Sequence, residues 1–277
     1  MVKRIITAVV AVALFIPVLY FSDTYVFPAA MSLLATIAAF EMLKCLGTLQ
    51  NWAFSIPQIV ISAALPFLMR LGSEDAVYIR SAIFIHFVYA IYLMAFAVMS
   101  KGAIKLEQVA EAFFACLYVN TGFSSLILLR DVPQGKYIFI LAFLGPWISD
   151  SFAYFFGRAF GRHKLIPEVS PKKTVEGCVA GILFCALAYM AYALLLEKLG
   201  FVELNVVALT VFGLVVSVVS QVGDLSASFI KREYGIKDYG NLFPGHGGVL
   251  DRFDSVLPVA TILMILIYCY DISKVVA

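Results

Sequence analysis

What most constrains this chain is a succession of long apolar runs separated by short polar stretches. A hydrocarbon core about 30 Å thick is crossed by roughly 20 apolar residues in a helix, and nine runs approach that length. They extend from Ile5 to Tyr20, Tyr25 to Leu43, Trp52 to Met69, Tyr78 to Met99, Val109 to Leu129, Tyr137 to Phe156, Val175 to Leu196, Val206 to Phe229 and Val249 to Tyr270. The sequence therefore predicts an all-α polytopic integral membrane protein with about nine transmembrane helices. Composition agrees: 62% of residues are hydrophobic, 14% are charged and the mean hydropathy is +0.96, against roughly half apolar and about a quarter charged in soluble domains. A soluble globular domain, a disordered chain and a disulfide scaffold are excluded on these grounds. No repeat or low-complexity tract interrupts the chain, which reads as one transmembrane domain. Residues 1–136 hold the N-terminal spans, and 137–277 hold the spans and loops where chemistry is expected.

The net charge is only +2, from 20 Lys and Arg against 18 Asp and Glu. No general polyanion-binding surface follows, and nucleic acid is not an expected partner. The placement of the cations says more. With the N-terminus in the cytoplasm, 14 of the 20 Lys and Arg residues face inward and 6 face outward. The positive-inside rule favours that orientation, with an outward C-terminus and the long polar loops on the cytoplasmic face of the inner membrane. The first run follows Lys3 and Arg4, and no small-x-small cleavage site appears before Asp23. It reads as an uncleaved span rather than a signal peptide. Cys45, Cys116, Cys178, Cys185 and Cys269 show no C-x-x-C or Cys/His spacing, so neither a zinc site nor a disulfide framework is expected.

Ionisable residues at membrane depth are costly and mark functional candidates. Asp150 sits in the sixth run, Glu176 opens the seventh, Asp224 lies near the end of the eighth, and Asp251 with Asp254 opens the ninth. Residues three, four and seven apart share a helix face, so Gln221, Asp224, Ser228, Lys231 and Arg232 form a polar stripe, and Asp251 shares a face with Asp254. If the last two helices are neighbours, three carboxylates meet at the inner membrane surface. Such a set suits Mg²⁺, a hard cation held by one or two carboxylates together with substrate phosphates.

Two polar stretches adjoin these acids. The first carries Gly157-Arg-Ala-Phe-Gly-Arg-His-Lys164 and then Ser170-Pro-Lys-Lys-Thr-Val-Glu-Gly177. Ser170, Lys172, Lys173 and Thr174 stand just before a helix start, where hydroxyls, ammonium groups and the positive dipole end attract a polyphosphate. The second runs Lys237-Asp-Tyr-Gly-Asn-Leu-Phe-Pro-Gly-His-Gly-Gly248. Gly245, Gly247 and Gly248 permit positive φ and close approach of backbone N–H groups to an anion. His246 is either a phosphate contact or a structural donor. Gly177-x-x-x-Gly181 permits close helix approach, while His86 and Trp147 read as packing residues. No G-x-x-x-x-G-K-[ST], G-x-S-x-G or H-E-x-x-H pattern is present, which removes support for a P-loop ATPase, a serine hydrolase or a zincin.

Taken together, the stretch S-F-I-K-R-E-Y-G-I-K-D-Y-G-N-L-F-P-G-H-G-G-V-L-D-R-F-D, from Ser228 to Asp254, resembles the signature of phosphatidate cytidylyltransferases, also called CDP-diacylglycerol synthases. The upstream run from Asp150 to Arg162, followed by Ser170 to Gly177, is similar to the same family. The likeness covers roughly the C-terminal half, whereas the first five spans match only in general character. It implies the reaction CTP + phosphatidate → CDP-diacylglycerol + pyrophosphate, requiring Mg²⁺, on the cytoplasmic side of the bilayer. In that scheme Asp224 and Asp251 hold the metal, Asp254 is a further ligand or serves a second cation, and Asp150 contributes to the polar cavity. Ser170, Lys172, Lys173 and Thr174 bind the triphosphate, Lys231 and Arg232 hold phosphate of either substrate, and His246, Gly247 and Gly248 line the site. Two rival activities share parts of this logic, a CTP-dependent lipid kinase and a transporter of an anionic solute. CTP, phosphatidate and the bilayer are the expected partners, and a homodimer is compatible with this reading.

Overall fold

The computed structural model describes residues 13, 15–71, 77–270 and 275. Most of the first expected run lies outside the described residues; its part at 15–20 is helical. Among the described residues seven helices are long and apolar enough to cross a membrane: Val26–Cys45, Trp52–Leu71, Ala82–Met99, Leu106–Asp131, Gly135–Phe160, Val175–Lys198 and Val206–Glu233, with a shorter apolar helix at Val256–Tyr270. The chain is an all-α membrane protein. Its contacts divide it into two compact units, residues Met1–Leu128 with Tyr234–Phe253, and residues Leu129–Glu233 with Asp254–Ala277.

The first unit contains α1 (Val26–Cys45), α2 (Trp52–Leu71), α3 (Val77–Met99) and most of α4 (Leu106–Asp131). Helix α1 packs along α2. At the end of α2, the Arg70 guanidinium donates to the carbonyls of Thr24 (3.0 Å) and Ser22 (2.9 Å), turning a costly cation into a cap for the chain entering α1. Pro57 and Pro66 lie inside α2, as membrane helices tolerate where neighbours re-satisfy the freed backbone groups.

The second unit begins with the single turn α5 (Gly135–Ile138), then α6 (Leu141–Phe160), a hairpin of β1 (Lys164–Ile166) and β2 (Ser170–Thr174), α7 (Val175–Lys198) and α8 (Val206–Glu233). Small residues let these helices approach. Cβ atoms added at Gly177 and Gly181 would lie 2.5 Å from the Ala153 carbonyl and 2.9 Å from the Ser149 carbonyl, so the Gly177-x-x-x-Gly181 spacing does seat α7 against α6. A Cβ at Gly213 would meet the Ala186 backbone at 2.8 Å, joining α7 to α8 in the same way. Deeper along these helices, the buried Tyr189 hydroxyl donates to the Leu141 carbonyl at 2.7 Å.

The ninth apolar run is not one helix. It divides into the single turn α9 (Leu250–Phe253), a turn at 254–255, and α10 (Val256–Tyr270). At the break, Asp254 Oδ1 accepts the Ser255 N–H at 2.8 Å, a local side-chain bond that competes with the helical ladder. The helical face expected to carry Asp251 and Asp254 together therefore ends between them.

Candidate functional site

In the second unit, three expected site residues come together. Strand alternation sends successive side chains to opposite faces. Accordingly Lys172 is exposed on β2, while Lys173 is half-buried and turns toward α8. There its Nζ lies 2.5 Å from Asp224 Oδ2 and donates to the Gln221 carbonyl at 3.5 Å. Asp150, from α6, lies within electrostatic range of both Asp224 and Lys173. An ammonium group thus lies against one carboxylate and one carbonyl oxygen, with a second carboxylate in electrostatic range.

Carboxylate and carbonyl oxygens are also the donors that a hard divalent cation prefers. Among the described residues no three His, Cys, Asp or Glu side chains gather as a metal-ligand group. An ion beside Asp224 would therefore draw further ligands from substrate oxygens and water, as Mg²⁺ commonly does. On the nature of the donors the residues fit Mg²⁺.

A buried polar network supports this spot from one helical turn away. Ser149 Oγ and Ser217 Oγ are 2.7 Å apart, and the Gln221 amide nitrogen donates to the Cys178 carbonyl (3.2 Å), Ser217 Oγ (3.3 Å) and Ser149 Oγ (3.4 Å). Because Ser149 precedes Asp150 and Gln221 lies three residues before Asp224, the network fixes α6, α7 and α8 where the acids emerge. On the far side of α8, a Cβ at Gly223 would lie 2.6 Å from Pro258 Cγ and 2.9 Å from the Asp254 carbonyl, so α10 approaches within one residue of Asp224.

The hydroxyl of Thr174 has a structural duty. It is the N-cap of α7, accepting the Gly177 N–H at 3.2 Å. Gly157 and Gly161 make room for it, since a Cβ at either would come within 2.8 Å of Thr174 Oγ1. Glu176, in the first turn of α7, receives the His163 N–H and lies 2.7 Å from His163 Nδ1. Both contacts tie the hairpin to the helix start. Lys231 and Arg232 occupy the last turn of α8, with Lys231 seven residues, or two helical turns, beyond Asp224.

In the first unit, the loop through Gly240 and Gly248 folds around carboxylates of the protein itself. Phe243-Pro-Gly-His246 is a tight turn closed by the His246 N–H to the Phe243 carbonyl (2.8 Å), with Gly245 at φ +79° where a left-handed residue is required. Asp251, 6% exposed, accepts the Tyr239 N–H at 2.8 Å and the Gly248 N–H at 2.9 Å through one oxygen, Oδ2. The Gly248 N–H, expected to face a substrate anion, is thus already held by Asp251. His246 is half-buried, and no hydrogen bond to its Nδ1 occurs among the described residues. Where this segment leaves α8, the Tyr234 hydroxyl donates to Glu111 Oε1. Burial and the adjacent Glu111 carboxylate push that phenol above its ordinary range.

Residues 2–270 match the cytidylyltransferase family. The chain belongs to that family. Among its relatives, the phosphatidate cytidylyltransferase of Staphylococcus saprophyticus is 36% identical over 274 residues, covering 95% of this chain and 98% of that protein. The enzymes of the same name from Staphylococcus haemolyticus and Staphylococcus aureus (strain COL) are 35% and 34% identical, with the same coverage. The match takes in the N-terminal spans as well as the C-terminal half, although the sequence pointed to site residues only in the latter. Glu41 of α1, whose carboxylate accepts the Val249 and Leu250 N–H groups, was missed. The available signal was that Glu41 is the lone acid in its apolar run.

Proposed function

We propose that this chain transfers the cytidylyl group of CTP to phosphatidate, forming CDP-diacylglycerol and releasing pyrophosphate. The observation that carries the proposal is the Lys173–Asp224 pair with Asp150 beside it, an oxygen-rich cation position in a membrane protein of this family. The relatives named as phosphatidate cytidylyltransferases support the choice of substrates.

Both reactants are anions, so neutralisation and alignment dominate over covalent assistance from the protein. A phosphate oxygen of phosphatidate attacks the α-phosphorus of CTP in line. The new P–O bond forms as the bond to the bridging β-phosphate oxygen breaks, and pyrophosphate leaves with that electron pair. A phosphate monoester is already largely ionised near neutrality, which removes the need for a strong general base. In this reading Asp224 and Asp251 would be the ligands of Mg²⁺, Asp150 would contribute to the polar cavity and Asp254 would serve a second cation. When bound, Mg²⁺ neutralises phosphate oxygens and the leaving group. Lys173, which pairs with Asp224 in this structure, would serve the triphosphate, with Lys172 and Ser170 on the same strand. Lys231 and Arg232 hold phosphate of either substrate. Thr174 serves by fixing the start of α7, while His246, Gly247 and Gly248 belong to the loop that presents Asp251.

Nine spans with a cytoplasmic N-terminus would place this chemistry on the cytoplasmic face of the inner membrane, where CTP is available. Reporter fusions at the two ends should report opposite sides; the same side for both would sink this topology. For the reaction, pyrophosphate release by purified protein should require CTP, phosphatidate and Mg²⁺ together. Formation of CDP and a phosphorylated lipid would instead identify a kinase, and vesicle uptake of solute without lipid labelling would identify a transporter.

A further inference from the structure

Glu41 lies in the last turns of α1, 5% exposed, in a run with no other acid. A buried carboxylate persists only where hydrogen bonds or a counter-charge offset its lost hydration. Here Oε1 accepts the Val249 N–H at 3.0 Å and Oε2 accepts the Leu250 N–H at 2.8 Å, across more than 200 residues of sequence. Asp251 Oδ2 takes the Gly248 N–H. Three successive backbone donors, from Gly248, Val249 and Leu250, therefore end on two carboxylates, and the last two belong to Glu41.

The loop is shaped to admit this group. A Cβ at Gly240 would stand 2.2 Å from Glu41 Oε1, and one at Gly248 would stand 2.1 Å from it; the nearest atoms at both positions all belong to Glu41. Neither glycine has the positive φ that demands glycine for backbone reasons. Their lack of a side chain is explained by the carboxylate itself. Charge-assisted bonds to backbone N–H groups are short and directional, so a two-pronged grip on Val249 and Leu250 fixes the peptide that leads into Asp251.

We propose that Glu41 is a positioning residue for the reaction, holding the Gly240–Asp251 loop so that Asp251 is presented in one orientation. The proposal rests on the cytidylyltransferase reading of this loop and assigns a task to the N-terminal spans. Its test uses the full-length purified protein, with hydrogen exchange of peptides covering residues 239–251 measured alongside turnover of CTP and phosphatidate. E41Q keeps the shape but turns an N–H donor toward one of the two backbone donors. It should speed exchange in this loop, and it should lower kcat by about 10- to 100-fold, the scale of a small misplacement at a reacting centre, with a change in KM for CTP of less than about threefold. E41D keeps the charge on a shorter arm and should recover part of kcat.

A second arm tests the fit without depending on the fold of E41Q. G240A should lose activity in the native background, and the G240A/E41D pair should exceed G240A alone, because the retracted carboxylate leaves space for the methyl group. Faster exchange with native kcat in E41Q would reduce Glu41 to a structural brace and overturn the proposal. Unchanged exchange in E41Q, or no rescue of G240A, would overturn the grip itself. A native protein that makes no CDP-diacylglycerol would overturn the cytidylyltransferase reading and the positioning role with it, while the exchange data still report whether the grip exists.

Discussion

Asp224 in the second unit and the pair Glu41 and Asp251 in the first are satisfied in different ways. Asp224 in the second unit faces an ammonium group, and the side chains of Lys173 and Asp224 keep 22% and 31% of their surface exposed. Glu41 and Asp251 in the first unit are 5% and 6% exposed and accept backbone N–H groups. An ammonium on a flexible stem can leave when a better cation or a phosphate arrives. A backbone N–H cannot leave without refolding its loop. Carboxylates with exchangeable partners are suited to chemistry; those with fixed partners hold the geometry in which chemistry happens. Asp251 is assigned to both categories in the proposed mechanism, as a metal ligand and as the acceptor of two loop N–H groups.

Replacing the acids separates these duties, and the largest effect is expected at Asp224. Asp224→Asn removes a ligand charge without breaking a backbone contact, so kcat should fall by about a hundredfold or more, the scale of several kcal/mol of metal assistance, with thermal stability near native. Asp251→Asn should lose comparable turnover and also about 1–3 kcal/mol of stability, because an amide serves two N–H donors less well than a carboxylate. Equal stability losses in the two variants, measured by thermal unfolding in detergent, would erase the distinction. Next in size, Lys173→Ala should raise KM for CTP and lower kcat by about tenfold each, since it removes a half-buried cation that faces Asp224. Activity near native would show that Lys173 only neutralises Asp224.

Much of this architecture was legible because lipid imposes a length. Seven of the nine expected runs correspond to helices with ends displaced by a few residues, and Thr174 before Val175 marked the start of α7 through its capping hydroxyl. Shorter features escaped. The β1–β2 hairpin lies in a charged stretch without an apolar alternation, so nothing announced strands, and without strands Lys172 and Lys173 looked equivalent. The restart at Val256 was hidden inside an apolar run, although Asp254 and Ser255 are residues that favour local side-chain bonds over the helical ladder. Glu41 was averaged away by a window of mostly apolar neighbours. Its partners are backbone groups more than 200 residues distant, a contact that no local pattern encodes.

A smaller effect is expected where a polar group has only a structural task. Thr174→Ala removes the α7 cap and should cost about 1 kcal/mol of stability, with KM for CTP near native once the protein is folded. A selective rise in that KM would return the hydroxyl to the triphosphate.

The smallest effect belongs to Lys172, and it sharpens the same contrast within one strand. Its side chain is exposed on the face of β2 opposite Lys173, in high dielectric. Exposed charge pairs contribute about 0.2–1 kcal/mol, so Lys172→Ala should raise KM for CTP by no more than about fivefold. Salt then discriminates between the two lysines. The screening length falls from about 10 Å at 0.1 M to about 3 Å at 1 M, and the difference between native and Lys172→Ala protein should vanish over that range. The Lys173→Ala defect should persist, because its partners lie in contact and half-buried. If both defects fade together as salt rises, Lys173 acts from solution-facing charge alone, and the division between exchangeable and fixed partners loses its strongest member.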